Sequence, residues 1–204
     1  MPVDVSSLFG NIDIYLFDQV LRGRIAPGMT IVDAGCGHGR NLVHFLRQGY
    51  DVSAFDADPE SESAVRALFV SLAPGLPRSN VRMERIEANS FPDRSADVVV
   101  SSAVLHFARD EAEFRAMLAG TWRLVKQNGF LFCRLASSIG MEDRVSPLGG
   151  RRFALPDGSE RFLVDEAYLL ARTAELGGRL LDPIKTTVVQ DQRCMTTWVV
   201  GRVA

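Results

Sequence analysis

A β-branched run that ends in an acid and then turns on three glycines constrains this chain more than any other feature. Thr30-Ile31-Val32 leads into Asp33-Ala34-Gly35-Cys36-Gly37-His38-Gly39-Arg40-Asn41. Glycines at alternate positions let a backbone reverse tightly and pass close to a bound molecule, where a Cβ would collide. Leu42, Val43, Phe45 and Leu46 follow at helical spacing, so the turn opens a helix whose N-terminus faces that molecule. Such strand–turn–helix units hold nucleotide-type cofactors in doubly wound α/β folds.

The details separate the cofactors. A dinucleotide fingerprint counted from Gly35 needs its third glycine at position 40, which is Arg40; the third glycine comes one residue early, at Gly39. A P-loop is excluded because no Gly-Lys-Ser/Thr follows. Asp51-Val52-Ser53-Ala54-Phe55 predicts a second buried strand that ends in Asp56-Ala57-Asp58-Pro59. An acid there can accept hydrogen bonds from both ribose hydroxyls of an adenosine, although nicotinamide enzymes use the same device.

Spacing along the chain predicts a helical N-terminal cap over 1–28, its helix running from Leu8 to Arg24 and closed by Pro27-Gly28. Further helices are expected over Gly39–Gln48, Pro59–Leu72, Glu111–Val125 and Asp165–Leu176. Strands are expected at Thr30–Ala34, Asp51–Phe55, Val81–Ile86, Ala96–Ser101, Phe130–Leu135, Lys185–Gln190 and Met195–Val200. Alternation of strand and helix implies a mostly parallel sheet with helices on both faces, in a single domain over 1–204. Residues 136–162, rich in Gly, Pro, Ser and Arg, read as irregular and as a substrate lid over the sheet's C-terminal edge.

The glycine turn resembles motif I of class I S-adenosylmethionine-dependent methyltransferases, roughly Asp-x-Gly-x-Gly-x-Gly. The resemblance covers about residues 10 to 135. Ile86-Glu87-Ala88-Asn89-Ser90-Phe91-Pro92-Asp93 is similar to the family's Ala-Glu-Ala-Leu-Pro-Phe-Pro-Asp stretch, and Ser101-Ser102-Ala103-Val104-Leu105-His106 to its fourth-strand exit. Gly37-His38-Gly39-Arg40-Asn41 with Gly49-Tyr50-Asp51-Val52 most resembles the tellurite-resistance subfamily. What this implies is a seven-stranded, doubly wound sheet closed by an antiparallel pair, with S-adenosylmethionine as cofactor. The resemblance assigns the cofactor to Asp33, Ala34, Gly35, Cys36, Gly37, Gly39, Arg40, Asn41, Asp56, Ala57, Ile86, Glu87, Ser101 and Ser102.

For the acceptor, His106 is the candidate general base or substrate ligand, with helix capping or backbone bonding as the alternative. Tyr15 is either a closure over the cofactor or a core aromatic. Arg151 and Arg152 suit an anionic acceptor, or belong to a salt-laced hairpin with Asp157 and Glu160. The expected reaction is methyl transfer to a small anionic, thiol or metalloid compound. A nicotinamide oxidoreductase and a non-catalytic cofactor-binding regulator are the alternatives.

Composition fits that reading. A net charge of −2 without single-sign blocks gives no basic footprint for nucleic acid. No apolar run reaches the roughly 18 residues of a membrane span, and no secretory signal is seen. Cys36, Cys133 and Cys194 have no pairing or metal-ligand spacing, so apolar packing is expected of them and no metal. Cytoplasmic residence and a monomer or homodimer are the defaults.

Overall fold

The structure, a computed structural model, describes residues 4–203. Residues 1–3 of the expected cap, and residue 204, lie outside the described residues. The elements in chain order are α1 (Val5–Phe9), α2 (Ile14–Leu21), β1 (Thr30–Ala34), α3 (Val43–Arg47), β2 (Asp51–Asp56), α4 (Pro59–Leu72), β3 (Val81–Met83), β4 (Ala96–Ser102) and α5 (Glu111–Trp122). They continue with β5 (Val125–Ala136), β6 (Ser146–Gly149), β7 (Arg152–Ala154), β8 (Glu160–Phe162), α6 (Glu166–Glu175), β9 (Gly178–Leu180), β10 (Lys185–Val189) and β11 (Arg193–Arg202).

The strands order as β10-β11-β5-β4-β1-β2-β3. From β5 to β3 all neighbours are parallel, and β11 enters antiparallel between β5 and β10. The sheet therefore has seven strand positions, with the short β9 sharing β10's edge of β11 further along that strand. Because side chains alternate across a strand, each central strand feeds two cores. Val99, Leu131, Cys133 and Trp198 point to the face covered by α5 and α6, packing on Phe114, Leu118 and Leu169. Val98, Val100, Phe130 and Phe132 point to the other face, packing on Leu16, Phe45, Val65 and Phe69 from α2, α3 and α4. Asp58, Asp110 and Asp165 each cap a helix by accepting the third amide of its first turn.

Several boundaries differ from expectation for local reasons. The N-terminal helix breaks at Gly10, whose positive φ (61°) ends α1, and restarts at Asp13, which caps α2. The first crossover helix shrinks to α3 because residues 39–42 are still completing the glycine turn. Strand β3 stops at Met83, and a 3₁₀ turn over Ile86–Ala88 follows.

The largest correction concerns residues 136–162. They do not form an irregular segment: β6, β7 and β8 make an antiparallel meander. Gly150 and Arg151 form the two-residue β6–β7 turn, which Gly149 enters at positive φ from the end of β6, and Pro147 is accommodated because β6 is an edge strand. The meander is anchored through Phe162, fully buried and stacked on Phe114 at 4.7 Å between ring centroids.

One glycine ties this packing to the 3₁₀ turn over Ile86–Ala88. A Cβ on Gly120 of α5 would overlap the carbonyl oxygen of Ile86. Gly120→Ala should lower stability by about 1–3 kcal/mol, the usual cost of overpacking a closed contact. Gly75→Ala, where a Cβ meets open space, should not lower it; denaturant melts of both variants check the pair.

Candidate active site

The topological switch lies between β1 and β4, whose C-terminal ends open a cleft where this class of sheet holds ligands. The glycine turn occupies that position because β2 holds it there. Gly35 and Cys36 both donate backbone hydrogen bonds to the Phe55 carbonyl, at 2.9 and 3.1 Å. Gly37 donates to the Asp56 carboxylate at 2.9 Å, and Asp58 donates to the other Asp56 oxygen at 3.0 Å.

The three glycines serve different ends. A Cβ on Gly35 would come within 2.7 Å of Val104, and one on Gly39 within 2.6 Å of Leu68 on α4. Those two allow close packing inside the protein. Gly37, at φ +51°, has nothing within 4 Å of its Cβ position. A side chain there would project into open space.

Asp33 is the most unusual group in the cleft. It is fully buried at the end of β1, and neither carboxylate oxygen has a hydrogen-bond partner. Desolvation pushes its pKa up to about 7, with Arg40 opposing the rise and Asp56 adding to it. Ser101, at the end of β4, also has a buried hydroxyl without a partner. Buried polar groups are ordinarily paired, so these two orphans mark a place for a polar ligand.

Two cavities flank this point. One, of about 450 Å³, is lined by Gly35, Asp56, Ala57, Ile86 and Glu87, together with Phe107. Five of the sequence candidates thus meet at one wall. The other, of about 400 Å³, lies against β5, β11 and the meander and is lined by Arg40, His106, Arg134, Arg161 and Arg193. Ala103 lines it with a positive φ of 65°, a strained geometry at the exit of β4.

His106 faces that second cavity, but its ring chemistry differs from the expected base. Its Nδ1 accepts the backbone N–H of Ala136 at 3.0 Å, so the ring hydrogen sits on Nε2. Burial, reinforced by Arg161, lowers its pKa to about 4. A neutral imidazole held this way donates a hydrogen bond from Nε2 and has no lone pair there to accept a proton.

Arg151 and Arg152 do not line either cavity. Arg151 pairs with Asp165 at 2.9 Å and lies over the Tyr168 ring, while Arg152 bonds Glu160 and the Ala108 carbonyl. Tyr15 is also withheld: its hydroxyl bonds Thr187 at 2.7 Å, and its ring packs beneath the Arg134 guanidinium. Asn41 is buried and accepts the Asp13 amide at 3.0 Å.

Asp13, Arg134 and Arg193 are not singled out by the sequence, whereas Arg161 belongs to the arginines of the 136–162 segment that suit an anion, and it is this member that lines the cavity. Asp13 is buried and pairs with Arg134, while Arg40 stands 3.6 Å away and donates to Ser102 at 2.9 Å. The available signal was a charge inside an apolar strand, Phe130-Leu131-Phe132-Cys133-Arg134-Leu135. Cys36, Cys133 and Cys194 are all buried, and desolvation raises each thiol's pKa. Among the described residues no group of three His, Cys, Asp or Glu side chains could hold a metal ion, and no helix is long and apolar enough to cross a membrane.

Known proteins share this arrangement. The model of a family described as "Methyltransferase domain" matches residues 32–133. An uncharacterised methyltransferase of Schizosaccharomyces pombe is 27% identical over 154 residues, covering 74% of this chain and 55% of its own. A trans-aconitate 2-methyltransferase of Mycobacterium ulcerans is 28% identical over 121 residues, covering 55% of this chain and 42% of its own. The chain thus spans about half the length of the curated relatives it matches. Among solved structures, a SAM-dependent methyltransferase from Methanosarcina mazei superposes with a TM-score of 0.72 at 17% identity, covering 90% of this chain and 97% of that one. The 1,6-didemethyltoxoflavin-N1-methyltransferase of Burkholderia thailandensis, solved with its substrate and S-adenosylhomocysteine, gives 0.69 at 16% identity over 98% of this chain and 82% of that one. These two show the same fold. The family match runs from the acid-tipped β1 through the glycine turn to β5, and the chain belongs to the class I S-adenosylmethionine-dependent methyltransferases.

Proposed function

We propose that the chain transfers a methyl group from S-adenosylmethionine to a small-molecule acceptor held in the arginine-lined cavity. One observation carries the reading: a buried carboxylate without any partner, Asp33, stands beside a glycine turn whose middle member, Gly37, faces open space. The cofactor fits that setting, since its amino-acid end brings a cation and its adenosine brings ribose hydroxyls. When bound, it supplies a methyl group already activated on a sulfonium.

In this reading Asp33 holds the cofactor's ammonium group, and the backbone of Ala34, Gly35, Cys36, Gly37 and Gly39 gives it a wall without side chains. Asp56 has one amide on each oxygen, and its remaining lone pairs take the ribose hydroxyls. Ala57, Ile86 and Glu87 enclose the adenine. Ser101, Ser102, Arg40 and Asn41 line the passage to the acceptor. His106 donates a hydrogen bond to the acceptor from Nε2, and Tyr15 acts through Arg134 instead of touching substrate. The meander of β6, β7 and β8 walls the acceptor cavity and excludes water, which favours loss of the sulfonium charge.

An anionic acceptor agrees best with four lining arginines. A metalloid acceptor, as the tellurite-resistance resemblance implies, meets no cysteine among the cavity's lining residues. The family match does not favour the nicotinamide and non-catalytic alternatives.

Calorimetry with S-adenosylmethionine and S-adenosylhomocysteine tests the assignment, and both should bind. Gly37→Val should nearly abolish binding, because its side chain fills the open side of the turn; a thermal melt separates this from unfolding. Wild-type affinity in a folded Gly37→Val protein would sink the motif I assignment.

Asp56→Ala should weaken S-adenosylmethionine binding by about 1.5–3 kcal/mol, the range for hydrogen bonds to a charged acceptor. A 2′,3′-dideoxyribose analogue should respond far less. Equal losses for both ligands would show that Asp56 does not read the ribose.

A further inference from the structure

The acceptor cavity carries charge that its surroundings do not cancel. Arg40, Arg134, Arg161 and Arg193 line it, and the one lining carboxylate is Asp157. Asp13 behind the wall serves both Arg134 and Arg40. Four guanidinium groups against these two carboxylates leave two positive charges uncompensated. Arg161 is oriented by Phe107, with its guanidinium 4.7 Å from the ring centroid, and donates to the Glu160 carbonyl. Neither Arg161 nor Arg193 forms a salt bridge among the described residues; Asp157 influences both only at longer range.

The cavity also lacks a group suited to removing a proton. His106 has its Nδ1 filled by the Ala136 amide and its hydrogen on Nε2. Asp157 accepts hydrogen bonds from Ser159, which hold its carboxyl below the usual range, with Arg161 and Arg193 adding to the effect. No other lining side chain takes up a proton near neutrality. General-base catalysis needs a group with a pKa near the working pH and a lone pair aimed at the substrate. A nucleophile methylated here therefore reacts without first losing a proton to a lining side chain, as a carboxylate does.

The lining arginines fall into two pairs. Arg40 belongs to the glycine turn itself and donates to Ser102 at the end of β4, and it shares Asp13 with Arg134. Arg161 on β8 and Arg193 on β11 line the same cavity without a carboxylate partner among the described residues. Planar guanidinium forks bind carboxylates through two parallel hydrogen bonds.

We propose that the acceptor is a small dicarboxylic acid, anchored by one carboxylate on Arg161 and Arg193 and methylated on an oxygen of the other. The inference rests on the methyltransferase reading above. A lone pair of the carboxylate oxygen forms the new O–CH₃ bond as the C–S bond of the methyl sulfonium breaks. That bonding pair returns to sulfur, leaving a neutral thioether and a methyl ester. No proton is released, so no base is required. His106 steadies the reacting carboxylate by donating from Nε2.

The test uses the full chain in three steps. Titration with S-adenosylhomocysteine comes first, and failure to bind there overturns the methyltransferase reading along with this proposal. With S-adenosylhomocysteine saturating, glutarate should bind at least tenfold more tightly than butyrate. Arg161→Ala and Arg193→Ala should each cost glutarate tenfold or more without changing S-adenosylhomocysteine affinity, and Arg193→Lys should recover part of the loss. Butyrate binding equal to glutarate, or glutarate binding untouched in both alanine variants, overturns the proposal while leaving the cofactor site intact.

Methyl-tritiated S-adenosylmethionine then reports the product from a panel of C4–C6 dicarboxylates, phenols, amines, thiols and phosphonates. The expected label sits on a dicarboxylate and is released as volatile methanol by alkali. At saturating cofactor, kcat/KM for that acceptor should be flat from pH 6 to 9. Label that resists alkali, or a kcat/KM that climbs tenfold per pH unit, contradicts the proposal.

Discussion

Everything at the cofactor side depends on how the end of β2 holds the turn that follows β1. Three backbone amides of that turn, from Gly35, Cys36 and Gly37, are taken up by Phe55 and Asp56. With those amides satisfied, the turn is held at the switch point by β2. Gly35 and Gly39 then let Val104 and Leu68 approach the turn, and Asp33 lies buried at the end of β1 beside it. A buried, unpaired acid costs stability in the free protein. The cost becomes useful once a cation arrives, because the same desolvation strengthens its attraction.

The arginine-lined cavity is organised around a second buried acid, Asp13. It caps α2 by accepting the Tyr15 amide, pairs with Arg134 and stands near Arg40. The N-terminal segment is therefore structurally part of the site: the residue that starts α2 also orients two of the four cavity arginines. Tyr15, bonded to Thr187 and packed under Arg134, reinforces the same arrangement. Removal of Asp13 would leave two guanidinium groups without their shared counter-charge.

Local patterns made the central fold legible. The glycine turn, the acid tip of β2, the helix over Pro59–Leu72 and the buried run Ala96–Ser101 each carry their signal in a short stretch of sequence. The meander is hard to see in a segment rich in Gly, Pro, Ser and Arg, because the same residues serve irregular loops and hairpins: glycines between extended segments suit a tight turn, and Pro147 suits an edge strand. The acceptor site was hidden for a different reason. Arg134, Arg161 and Arg193 come from separate strands, and Asp13 lies far from all of them in sequence. Only the fold brings them together. His106 was found by position after β4, but the amide of Ala136 that fixes its tautomer belongs to the neighbouring strand end.

The central claim is that the cofactor's cation neutralises the Asp33 carboxylate. Calorimetric titration of S-adenosylmethionine at pH 6, in two buffers of different ionisation enthalpy, measures the protons exchanged on binding. With a free-protein pKa of about 7, Asp33 is about nine-tenths protonated there and must ionise to pair with the ammonium group. The account predicts release of close to one proton per bound cofactor at pH 6, fading above pH 8, and no such release in Asp33→Asn, which should bind at least tenfold more weakly at pH 8. Equal heats in the two buffers at pH 6, with wild-type affinity in Asp33→Asn, would contradict it.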